Sequence, residues 1–143
     1  MALDPLEKAV QIDPQHDFSQ FLLGCALGRL GKFARALSHL QIADQLRPNN
    51  PEITRNIGWM MCMQGNFKEG RTLLRRAIKL YPKNALAYND LGASYLFGED
   101  IDIDLAERWF KKALEIDPDN AFIQSTYASF KELTRGIKKK RRG

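Results

Sequence analysis

The stretch GWMMCMQGNFKEGRTLLRRAIKLYP, from Gly58 to Pro82, decides the fold, because its landmarks recur on both sides of it at a fixed step. Gly24, Gly58 and Gly92 stand 34 residues apart and are preceded by Leu23, Ile57 and Leu91, while Pro14, Pro48, Pro82 and Pro118 follow one another at steps of 34, 34 and 36. In and beside the stretch, Ile57, Gly58, Met61, Leu74 and Ala77 fall at helical spacing on two segments with Gly65 between them. Apolar residues so spaced make one face of a helix pair. A small residue in that face lets the two axes approach closely, and Pro82 closes the unit because proline cannot continue a helix.

A period of 34 with small, aromatic and proline landmarks resembles the tetratricopeptide repeat along nearly the whole chain. The resemblance implies an all-α fold, a right-handed α-solenoid of about eight helices built from helix-turn-helix repeats. Residues 1–16 then read as the second helix of an incomplete repeat or an N-terminal cap, since Ala2, Leu6, Ala9 and Pro14 keep the mutual spacing of Ala36, Leu40, Ala43 and Pro48. Complete repeats follow at 17–50, 51–84 and 85–120, the third with two extra residues in its turn within Gly98 to Ile103. Residues 121–137 read as a capping helix whose inner stripe contains Tyr127 and Ala128, and 138–143 as a basic tail. An incomplete first repeat suggests a chain cut from a longer array. Gly70 occupies the place of Ala36 and Ala106, and glycine there costs about 0.5–1 kcal/mol of helix stability.

Composition narrows the function classes. The chain has 22 Lys and Arg against 17 acids, but Lys138, Lys139, Lys140, Arg141 and Arg142 hold the whole excess, and the remainder is neutral. A neutral helical array lacks the basic stripe with interleaved aromatics that grips nucleic acid. The tail alone is a candidate for nucleic acid, an anionic membrane surface or nuclear import. Cys25 and Cys62 form no metal-binding pair, which fits a reducing, cytoplasmic setting, with a nuclear one open through Lys138 to Arg142. The N-terminus has no apolar run of signal-peptide type, and no segment reaches the roughly 18 apolar residues of a membrane span.

No catalytic or cofactor constellation is present in the sequence. His16 reads as a linker residue and His39 as lying on an exposed helix face, without a nucleophile or ligand partner, and there is no glycine-rich phosphate loop. Asp100, Asp102 and Asp104 imitate the start of a calcium loop, but Leu105 stands where glycine is required and Lys111 where a bidentate glutamate is required. Asp102 or Asp104 is instead expected to cap the following helix. No metal, cofactor or small-molecule substrate is expected, and the chain reads as a non-enzyme.

Function is therefore sought on the stripe of each first helix that does not face its own partner helix. Helical spacing places there Phe18, Phe21, Leu22, Cys25 and Arg29, then Arg55, Asn56, Trp59 and Met63, then Asn89 and Leu96. Such a stripe is unusually apolar for an open face and suggests a concave groove for an apolar or aromatic segment of a partner protein. Arg29 and Arg55 would pair with flanking acids, and Asn56 and Asn89 would hold the partner's backbone. The alternative is a structural or self-assembling scaffold joined through its terminal helices. The family's carboxylate clamp on acidic chaperone tails uses Lys and Asn, then Asn, then Lys and Arg. Here the matching places hold Phe21 and Cys25, Asn56, and Leu86 and Asp90, so only Asn56 agrees and no tight clamp is expected.

Overall fold

The computed structural model describes residues 3–142, so Ala2 and the ends of the first and last segments read above lie outside the described residues. Among them are eight helices and no strand: α1 (Leu3–Ile12), α2 (Asp17–Arg29), α3 (Phe33–Leu46), α4 (Pro51–Met63), α5 (Phe67–Leu80), α6 (Ala85–Ser94), α7 (Ile103–Ile116) and α8 (Ala121–Arg142). The helices form an α-solenoid that divides into two compact units, one ending at Pro82 and the other beginning at Lys83. No described helix is long and apolar enough to cross a membrane.

The period in the sequence is a period of caps and turns. His16, Asn50, Asn84 and Asn120 occupy the position just before a helix, and each side chain accepts from a backbone N–H of the first turn. Asn50 Oδ1 takes two, from Glu52 and Ile53 at 2.9 and 3.1 Å. Such caps satisfy donors that have no partner inside the helix. Gly31, Gly65 and Gly98, at φ of +77°, +91° and +82°, make the left-handed bends between paired helices that a side chain would strain.

The first unit packs Leu23, Leu27, Leu40, Ile53, Ile57 and Met60 into one buried cluster, flanked by Leu6 and Val10 of α1. Each large side chain so buried contributes about 1.5–3 kcal/mol. Glu7 of α1 also meets Arg35 of α3 at 3.2 Å, and Asp17 meets Arg47 at 2.7 Å. These ion pairs are exposed and secondary to the packing. The small residues set how closely paired helices approach. A Cβ built on Gly58 would lie 2.8 Å from the Gly70 carbonyl oxygen, against 3.2 Å for Gly24 and Ala36 and 3.0 Å for Gly92 and Ala106. The α4–α5 pair is the tightest. Gly70 fits this because Cys62, which is buried, occupies the space that a Cβ at residue 70 would need.

His39 is not on an open face. It is half-buried, with Nδ1 2.8 Å from Gln20 Oε1, and the Gln20 amide is oriented by donating its Nε2–H to the Pro14 carbonyl at 3.0 Å. Nδ1 therefore carries the proton. Burial, and secondarily the Arg35 charge, hold the imidazole below its usual pKa, so it stays neutral through physiological pH.

In the second unit α6 stops at Ser94, a turn short of α2 and α4, and the chain bends through residues 95–102. The Asp102 N–H donates to the Tyr95 carbonyl at 2.9 Å, closing this longer connection, and Asp102 Oδ1 caps α7 by accepting from Leu105 N–H at 3.0 Å. Of the two candidate caps it is Asp102 that acts. α8 covers α7 with Ile123, Tyr127, Phe130 and Thr134, at helical spacing, whereas Ala128, expected in that stripe, is exposed because it lies roughly a third of a turn away from it. Nor does α8 end at residue 137. It continues through Arg142, and the basic run is helical.

Candidate partner-binding cleft

Because the cluster of the first unit holds α2 and α4 side by side, their unshared stripes converge on a cleft of about 360 Å³. Phe21, Leu22, Cys25, Gly28 and Arg29 line it from α2, and Arg55, Asn56, Trp59 and Met60 from α4. Seven residues expected from spacing thus meet in one place: Phe21, Leu22, Cys25, Arg29, Arg55, Asn56 and Trp59. Phe18 is exposed and Met63 half-buried, both outside the lining. Gly28 and Met60 escaped the spacing argument. A Cβ on Gly28 would reach to 2.8 Å from Met60 Sδ, so glycine here leaves room for the methionine to form the cleft wall. The signal was the glycine itself, at the place where Cys62 and Leu96 stand in the other repeats.

Cys25, Asn56 and Arg55 already have partners in the cleft. Asn56 Nδ2 donates to the Glu52 carbonyl at 2.7 Å, which orients its Oδ1 toward the Cys25 thiol, 3.7 Å away. Arg55 donates through Nη2 and Nε to Glu52 Oε2 at 3.0 and 3.3 Å. A ligand carboxylate must therefore compete with Glu52, an exposed partner that gives way cheaply. Burial pushes the Cys25 thiol above its ordinary pKa, outweighing the lowering effect of Arg55 and Arg29. The thiol therefore remains protonated near neutrality and acts as a donor. Cys25 will alkylate more slowly at pH 8 than a free cysteine peptide, as followed by intact mass. A rate equal to that of the peptide would contradict this protonated thiol.

Asn89 and Leu96 belong to the second unit and depart from the expected open stripe. Asn89 is only 2% exposed, with Oδ1 lacking a hydrogen-bond partner, and it sits in a helix with seven of its ten residues buried. A helix enclosed on that many sides presents no open stripe. Leu96 lies beyond the end of α6, in the lengthened connection, so helical spacing no longer sets its direction.

A tetratricopeptide repeat model matches residues 29–95 and a second matches residues 85–120. The chain belongs to the tetratricopeptide repeat family. Solved structures with a similar fold include MamA, at 23% identity and a TM-score of 0.69, covering 92% of this chain and 75% of that one. YrrB, described as a TPR protein with an unusual peptide-binding site, matches at 25% identity and a TM-score of 0.71, covering 89% of this chain and 64% of that one. The first tetratricopeptide domain of Spaghetti (RPAP3), bound to the HSP90 peptide SRMEEVD, matches at 18% identity and a TM-score of 0.67, covering 86% and 96%. The matched residues span α3 to α7, in both units, and a fold by itself does not assign a function.

Proposed function

We infer that this tetratricopeptide protein is a non-enzymatic interaction module whose α2–α4 cleft receives an extended segment of a partner protein. An apolar or aromatic side chain of that segment enters between Phe21 and Trp59, and acids beside it pair with Arg29 and Arg55. The observation that carries this reading is the convergence of two aromatic rings and two guanidinium groups on one open cleft, where Phe21 and Trp59 rest on the core of the unit with one side and remain half-exposed on the other. The peptide-binding site of YrrB and the peptide-bound domain of Spaghetti support it as instances of the same fold serving as a peptide receptor. The chemistry differs from an acidic-tail clamp, because the cations of such a clamp are replaced here by Phe21, Leu86 and Asp90.

Affinity is expected in the micromolar range, because ordering a flexible segment offsets much of its contact energy. A panel of peptides presenting a tryptophan or phenylalanine flanked by acids tests the reading by calorimetry. Phe21→Ala and Trp59→Ala should each weaken the best binder about tenfold. Peptides ending in a free acidic carboxylate should gain nothing over their amidated forms. Unchanged affinity in both variants, or binding that depends on a free terminal carboxylate, would overturn it.

A further inference from the structure

We propose that the C-terminal half of α8 is a docking helix for anionic lipid bilayers. Residues 131–142 carry seven cations and one acid, which leaves the rest of the chain slightly acidic, so the positive field of the molecule is concentrated in three turns of one helix. Phe122, Leu133 and Ile137 are 61%, 76% and 44% exposed, and at 100° per residue they fall within 60° of one another on α8 with Lys140 in line behind them. The core-facing residues Phe130, Ile123 and Thr134 come next around the axis, beginning about 20° beyond Ile137, so the exposed apolar stripe borders the one that covers α7. The helix therefore has one wide apolar arc, turned inward along one edge and bare along the other, and the basic run follows it along the chain.

This pattern fits a bilayer surface better than a nucleic acid. Acidic headgroups attract the cations, while the leucine and isoleucine enter the boundary between headgroups and acyl chains. A phosphate backbone would use the charges but leave the apolar side chains in water, and no exposed aromatic lies within residues 131–142 to stack on a base. The segment is also already ordered. Arg141 Nη1 reaches Asp104 Oδ2 at the start of α7 at 3.3 Å, tying the last turns to the body, so docking need not first fold a disordered tail.

The test is co-sedimentation of the full chain with sucrose-loaded vesicles of phosphatidylcholine alone or with about 30% phosphatidylserine. Binding is expected only with phosphatidylserine, and it should be lost between about 0.1 and 0.5 M salt. Replacing residues 138–142 by glutamine should reduce it at least about 100-fold. The double substitution Leu133→Ser and Ile137→Ser should reduce it about tenfold, with unchanged helical circular dichroism because neither side chain belongs to the buried core. Absence of binding to the charged vesicles, equal binding to neutral ones, or indifference to the double substitution would overturn the proposal. So would tighter binding to duplex DNA that ignores the same double substitution.

Discussion

Replacing Phe110 with alanine will lower the stability of the second unit by about 3–5 kcal/mol, the largest loss expected from any single truncation in this chain. Phe110 is fully buried, and its ring packs at 5.1 Å from the Phe130 ring and 6.4 Å from the Tyr127 ring, both on α8. On its other side it lies directly on Gly92, since a Cβ there would come within 3.1 Å of two ring carbons. One side chain thus joins α6, α7 and α8. Tyr127 cannot swing in to fill the space cheaply, because its hydroxyl donates to Glu107 Oε2 at 3.1 Å. Urea denaturation of the variant measures the loss, and a change below about 1 kcal/mol would mean that α8 does not seal α7 as described.

Replacing Gly70 with alanine will destabilise the first unit by about 2 kcal/mol, although helix propensity alone predicts a gain of about 0.5–1 kcal/mol. The new methyl would stand 2.6 Å from the Gly58 carbonyl oxygen and 3.0 Å from the Cys62 amide nitrogen, and it would also strike the Cys62 sulfur. A flexible side chain could yield, but two of these atoms belong to the backbone of α4. The helices would have to separate, loosening Leu74 and Ile57 in the seam between them. A melting temperature raised by the substitution would contradict the tight crossing. Cys62→Ala added to Gly70→Ala should recover only part of the loss, because it removes the sulfur contact and leaves the carbonyl one.

These two positions also mark how far the sequence could be read. The period of 34, the seam residues and the turn glycines were legible because each follows from a local rule about helix faces, caps and breakers. That Phe110 lies in a seam follows from spacing; that Tyr127 and Phe130 close over it depends on the phase of α8. The glycine at residue 70 looked like a defect because propensity is a property of one helix, whereas its reason is the approach of another. The same limit applies to the candidate site. Spacing found Phe21, Leu22, Cys25, Arg29, Arg55, Asn56 and Trp59, which lie on helices whose neighbours are regular. It misplaced Asn89, where α6 is enclosed, and Leu96, where the two-residue insertion shortens the helix. It could not show that Glu52 already occupies Arg55, or that His39 is held by Gln20, since side-chain pairing depends on rotamers.

The central claim is that the space between α2 and α4 is a receptor for part of another protein. It is tested most directly by following the two indole N–H resonances of Trp59 and Trp109 during titration with an acid-flanked aromatic peptide. Trp59 lines the cleft and Trp109 belongs to the second unit, its ring tilted against that of Tyr88 with centroids 5.7 Å apart. The account predicts that the Trp59 resonance moves in a saturable way at micromolar to sub-millimolar peptide while that of Trp109 stays in place. Saturable binding that leaves Trp59 unmoved would contradict it.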